Sequence, residues 1–208
     1  MTSGVAGQRP TYVGIGAQKC ASTWLHHILQ AHPEVAVPEV KEADFFSYHY
    51  DRGFQWYQRC FANGEGPSRA VRARGEISPS YFCEPAVPER VARYMPDAKI
   101  IVSLRDPVER ALSNHRHDVK QRHLTGDDLS FEHGLSNNPM YVEQGRYATH
   151  LKRWLRYFPR EQFLVVLVDD IEADPCGVCR TVYRFLGIEE SYLPPGFSRG
   201  STSRSRLP

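Results

Sequence analysis

The stretch GAQKCAST, residues 16–23, places one lysine (Lys19) and two hydroxyls (Ser22 and Thr23) among small residues, just ahead of an apolar helical pattern. Free N–H groups and the macrodipole at a helix start both favour an anion. Lys19 adds a full positive charge, Ser22 and Thr23 add donors, and the small Ala21 lets the backbone approach an oxyanion. Phosphate or sulfate fits. A triphosphate loop needs G-x-x-x-x-G-K-[ST], whereas Lys19 comes three residues after Gly16 and is followed by Cys20, so the magnesium-binding hydroxyl is missing and Mg·ATP is disfavoured. The competing reading is an ordinary capped helix with a surface lysine. Arg105 marks a second candidate site, because it ends a buried apolar run, where open α/β sheets bind ligands. Ser113 follows Asp106 by about two helical turns and faces the same junction. An arginine fork and a hydroxyl make an anion site there; the alternative is that Arg105 pairs with an acidic neighbour and Ser113 is merely helical.

The elements that must position these groups alternate. TYVGIGA (11–17) has the look of a strand, followed by a helix STWLHHILQAH for which Ser22 or Thr23 is the expected cap. VPERVARYM has Pro88 near a helix start, and AKIIVSL (98–104) is a continuous apolar run that suits a buried strand. In RDPVERALSNHRHDVK, Asp106 can cap a helix begun by Pro107, with Val108, Ala111, Leu112, His115 and Val119 at i, i+3, i+4, i+7 and i+11. Leu151, Trp154, Leu155 and Phe158 make a similar stripe. QFLVVLV (162–168) is expected as a third core strand, and DPCGVCRTVYRFLG as a closing helix ending at Gly187. This order predicts a single α/β domain with a central, mainly parallel sheet flanked by helices.

Composition narrows the classes. The 208 residues, 41% hydrophobic, are enough for one sizeable core. A net charge of +2 is too mild to argue for nucleic acid or a membrane surface as partner. No apolar run approaches the roughly 18 residues of a membrane span, and the N-terminal residues lack a signal-peptide pattern. Five scattered cysteines favour a reducing compartment, so a cytoplasmic location is expected. Residues 1–10 and the polar segment 195–208 are rich in Gly, Pro, Ser and Arg and are expected to be mobile without ligand. The domain proper is expected over 11–194.

Taken together, six segments in order resemble a sulfotransferase dependent on 3′-phosphoadenosine 5′-phosphosulfate (PAPS), of the heparan-sulfate-type and bacterial small-molecule branch. GIGAQKCASTWLHHIL is similar to the family's 5′-phosphosulfate loop, IIVSLRDPVERALSNH to its 3′-phosphate motif, and KEADFFS to the segment carrying its catalytic glutamate; GEISPSYF, GRYATHLKRWLRYFP and VLVDDIEADP fall in family order. The resemblance implies a P-loop-NTPase-like sulfotransferase fold and PAPS as co-substrate with no metal. It implies that Lys19, Ala21, Ser22 and Thr23 hold the 5′-phosphosulfate, and that Arg105 and Ser113 hold the 3′-phosphate. Glu42 is then the general base, with Lys19 also catalytic through the leaving phosphate, and the acceptor a small molecule or glycan with a hydroxyl or amine. On residues alone, Glu42 is a solvated loop carboxylate beside Lys41. Two departures stand out. Ile77 replaces a lysine of the heparan-sulfate enzymes, which makes a glycosaminoglycan acceptor less expected, and the family's basic phosphate loop falls near the C-terminus, where Arg204 or Arg206 is expected to supply it.

Other features carry less. CGVC (176–179) has redox spacing but lies inside the closing helix, and the histidines of NHRHDVKQRH are expected on a solvated face apart from His115. Phe45, Phe46, Tyr48, Trp56 and Tyr81 suit an acceptor cleft or a core equally. The alternatives to a sulfotransferase are a P-loop-like nucleotide or small-molecule kinase and a non-catalytic nucleotide-binding module.

Overall fold

A computed structural model describes residues 9–61 and 71–197. In chain order the elements are β1 (Tyr12–Gly16), α1 (Ser22–Ala31), β2 (Val35–Ala36), α2 (Gly53–Arg59), β3 (Ala73–Ile77), α3 (Val87–Tyr94), β4 (Lys99–Leu104), α4 (Pro107–Lys120), α5 (Phe131–Asn137), α6 (Met140–Glu143), α7 (Tyr147–Trp154), β5 (Phe163–Leu167), α8 (Val168–Ala173) and α9 (Pro175–Leu186). The strands form one sheet in the order β2-β3-β1-β4-β5, every neighbour parallel. β1 lies at the centre. The chain leaves it toward β2 and β3, then crosses to β4 and β5 on the other side, which puts a topological switch point beside β1.

Side chains alternate across this sheet with the period of two that a strand imposes. Val13, Ile15, Ile100 and Val102 face one core with Val91 from α3, Trp154 at the end of α7 and Phe158 in the segment after it. Tyr12 and Ile101 face a second core with Leu25, Leu29, Val182 and Tyr183, supplied by α1 and α9. Helices therefore cover both faces, as expected for parallel strands.

Several local expectations need correction. The α1 N-cap is Ala21, in the left-handed region at φ 62°, with no side-chain cap; Ser22 and Thr23 lie within the first turn. β5 is an edge strand rather than a core one, and Val165 and Leu167 are exposed. A continuous apolar run does not distinguish centre from edge. On α4 the buried face holds Arg110, Ala111, Asn114 and His115, while Val108 is exposed. α7 ends at Trp154, which leaves Leu155 exposed. Phe45, Phe46 and Tyr81 are fully buried, with Phe45 stacked on Tyr57 at 4.6 Å, so these aromatics build core rather than cleft; Tyr48 is exposed. Asp106 does cap α4, accepting from the Val108 and Glu109 amides, and Gly187 ends α9 in the left-handed region. In the segment 1–10, Pro10 is buried and Arg9 lies over the Tyr94 ring. The described helices include none long and apolar enough to cross a membrane.

Candidate active site

The carboxyl ends of β1 and β4 open into a cleft of about 640 Å³. Its walls carry Lys19, Ala21, Ser22, Thr23, Glu42, Arg105 and Ser113 together, so the sequence-derived site residues within the described chain converge on one cavity. Arg204 and Arg206 lie outside the described residues.

The loop after β1 explains the convergence. Gly16 has φ 125°, and a Cβ there would come within 2.9 Å of the Pro79 carbonyl oxygen, so only glycine lets the loop turn under the segment after β3. The Ala17 amide donates to the Ser103 carbonyl at 2.8 Å, tying the loop to β4. Lys19 and Ala21 both take positive φ, at 66° and 62°. Such a backbone aims successive N–H groups at a common point, the geometry of an anion nest. Because no side chain caps α1, its first-turn amides remain free on the cleft wall. The α4 amides differ, since the Asp106 carboxylate already occupies them.

Burial lowers the Lys19 pKa from its ordinary value; Asp118 opposes this by favouring the cation, while Lys41 adds to it. Arg105 is paired in this structure: Nε and Nη2 donate to one oxygen of Glu109 at 3.0 and 2.8 Å. That is the acidic-neighbour alternative, realised at a residue that also lines the cleft. The Tyr147 hydroxyl donates to the Arg105 carbonyl at 2.8 Å and sits 3.8 Å from the Cys20 thiol, so it spans the two junctions. Cys20 itself is buried with its thiol toward the Gln18 carbonyl, facing the protein rather than the cleft.

Four residues of the cleft were not legible beforehand. Lys41 contacts Glu42 and Thr23, His117 lines the α4 wall, and Trp24 and Glu172 complete the rim. Burial, then Lys19, lowers the His117 pKa. His115 instead is buried against Phe131, its Nε2 3.1 Å from the Leu129 carbonyl. Ile77, at the position of the expected lysine, is buried against Gly14 and adds nothing to the cleft. The strand that carries it holds Glu76, a fully buried carboxyl whose pKa burial raises and whose oxygens accept from Ser78 at 2.6 Å and Tyr81 at 2.7 Å. This carboxyl anchors the segment after β3 and stays outside the cleft lining.

Comparison with known proteins adds to this geometry. The family described as "Sulfotransferase domain" matches residues 11–195. Human heparan sulfate glucosamine 3-O-sulfotransferase 3B1 is 34% identical over 188 residues, covering 88% of this chain and 47% of the relative. Human bifunctional heparan sulfate N-deacetylase/N-sulfotransferase 3 is 32% identical over 201 residues, covering 88% of this chain and 23% of the relative. The chain thus spans about half or less of these relatives' lengths. The crystal structure of a sulfotransferase from Alicyclobacillus acidocaldarius matches with a TM-score of 0.81 at 32% identity, covering 93% of this chain and 87% of that one. With the family match spanning nearly all of the described residues and the cleft formed by the same segments that carried the resemblance, the chain belongs to the sulfotransferase domain family.

Proposed function

We propose that this chain transfers the sulfuryl group of PAPS to a hydroxyl or amine of a small-molecule or glycan acceptor. The observation that carries the reading is the single cleft in which Lys19, Ser22 and Thr23, then Arg105 and Ser113, and finally Glu42 stand around one cavity. PAPS has two anionic ends at separate positions, and the residues present fit both. The α1 amides, Lys19, Ala21, Ser22 and Thr23 suit the 5′-phosphosulfate. Arg105, released from Glu109, and Ser113 suit the 3′-phosphate, and Trp24 offers the purine an aromatic face. Arg204 remains a candidate for a further phosphate contact.

In the reaction, the acceptor oxygen or nitrogen attacks sulfur, the bond from sulfur to the bridging oxygen breaks, and adenosine 3′,5′-bisphosphate leaves. Glu42 takes the acceptor proton. Lys19 and the α1 amides stabilise the charge that develops on the bridging oxygen. The buried Cys20 thiol argues against a kinase, because it leaves no hydroxyl at the magnesium position that follows Lys19. Free cysteines at 20, 60, 83, 176 and 179 support a reducing, cytoplasmic setting.

Titration calorimetry tests the reading. Adenosine 3′,5′-bisphosphate should bind more tightly than Mg·ATP, and radiolabelled sulfate should pass from PAPS to an acceptor. A preference for Mg·ATP would reinstate the kinase, and tight bisphosphate binding with no transfer to any acceptor would favour a binding module.

A further inference from the structure

A second lysine enters the cleft from the segment that carries Glu42. Lys41 Nζ donates to Glu42 Oε1 at 3.0 Å and to Thr23 Oγ1 at 3.5 Å, so one ammonium joins the carboxylate to the first turn of α1. The donor inventory makes this specific. A hydroxyl that accepts from Lys41 keeps its own hydrogen for another acceptor, and a carboxylate held at one oxygen keeps the second oxygen free. Lys41 and Lys19 also repel, since Lys41 is among the groups that disfavour the charged form of Lys19. Two cations facing one cavity suit a site that awaits an anion. Position 77 offers no cation to share the task, because Ile77 is packed in the core.

From this geometry we infer that Lys41 is a positioning residue for sulfuryl transfer: it fastens Glu42 to the Thr23 side of the phosphosulfate cradle and so fixes the proton acceptor relative to the sulfur. The inference rests on the PAPS reading and deepens it. The ammonium gives up no proton and forms no covalent bond. Its contribution is orientation, which is worth most when the transferred group and the base must align. Two rival roles make different numbers. A solvated lysine beside a carboxylate would contribute little, and a lysine that bonds the sulfuryl oxygens directly would act independently of Glu42.

The experiment is a double-mutant cycle on the full chain: wild type, Lys41→Met, Glu42→Gln and the double variant, with Lys41→Arg as the conservative control. Each is titrated with adenosine 3′,5′-bisphosphate and assayed for single-turnover loss of label from PAPS, with glucosamine and then water as probe acceptors. Expected for Lys41→Met is bisphosphate affinity within about threefold of wild type and a rate loss of about 10- to 100-fold, largely restored in Lys41→Arg. In the Glu42→Gln background the same change should cost less than about twofold, because a positioning residue has nothing left to position. Full multiplicative losses would overturn the proposal and assign Lys41 to the sulfuryl group itself. An unchanged rate in Lys41→Met would leave it a solvated charge. A wild-type rate in Glu42→Gln alone would instead overturn the base assignment on which the proposal rests, a failure visible before Lys41 is touched. Retained bisphosphate binding in every variant shows that each has folded.

Discussion

The guanidinium of Arg105 closes on a single carboxylate oxygen of Glu109, one turn along α4, while its own residue lines the cleft at the ends of β1 and β4. An exposed pair of this kind is worth at most about 1 kcal/mol. A doubly charged phosphate is the stronger acceptor, so on the proposed reading Glu109 would be a displaceable occupant of the arginine.

This makes a paired prediction. Arg105→Ala should weaken adenosine 3′,5′-bisphosphate binding by about 1.5 to 3 kcal/mol, roughly ten- to a hundredfold, the scale of a charged hydrogen bond. Glu109→Gln should tighten binding by a few fold, because the competitor is removed. Adenosine 5′-phosphosulfate, which lacks the 3′-phosphate, should be nearly indifferent to both changes. Calorimetric titration of the two nucleotides decides it, and equal responses would remove Arg105 from the 3′-phosphate.

Glu42→Gln should keep bisphosphate affinity within about threefold and lose at least about a hundredfold in single-turnover transfer, the contribution expected of a general base. Lys19→Ala should damage both, since on the proposed reading Lys19 meets the bound phosphosulfate as well as the leaving phosphate. If Glu42→Gln transfers at the wild-type rate, His117 becomes the next candidate base. His115 does not qualify, because its ring is bonded inward to Leu129.

Tyr147→Phe deletes the hydroxyl that donates to the Arg105 carbonyl and lies beside Cys20. Losing that bond should cost about 1 kcal/mol of stability. The two junctions would then be less firmly held, so bisphosphate affinity should fall several fold. Thermal unfolding and titration of the same sample check the pair of effects; a stability loss with unchanged affinity would reduce Tyr147 to a packing residue.

His26 supplies a pH dependence. Burial, assisted by Lys41 and His27, pushes its pKa down to about 4 from an ordinary 6.5. The unfolded chain therefore binds its proton first as pH falls. Stability from this group is complete above pH 6.5 and declines between 6.5 and about 4. His26→Gln should flatten the acid limb of a urea-unfolding series in that window. An unaltered slope would show that other groups control it.

What could be read beforehand follows the physics of each element. Lys19, Arg105 and Ser113 were legible because strand-to-helix junctions announce themselves through an apolar run, a tight turn and a helical pattern that follows at once. β3 was not, because Arg74 and Glu76 interrupt its apolar pattern. Its buried Glu76 is tolerable because Ser78 and Tyr81, two and five residues on, donate to it. β2 has two residues and leaves no periodic trace. The α1 cap misled because Ser22 and Thr23 are good caps by type, yet the loop enters the helix through Ala21 at positive φ and spends both hydroxyl residues inside the first turn. Lys41, Tyr147 and His117 owe their places to tertiary packing, which local patterns do not encode.

The cleft is lined by residues from Gln18 on the first loop through Ser113 to Glu172 on α8, so no contiguous segment contains it. A nucleotide that spans those walls binds only a chain in which β1, β4 and β5 have already found their neighbours. Such a ligand would be a reporter of completed assembly, and at a hundredfold excess over its dissociation constant it would add about 2.7 kcal/mol to the folded side. Fragments ending before β5 should gain none of that protection, whatever helix they retain.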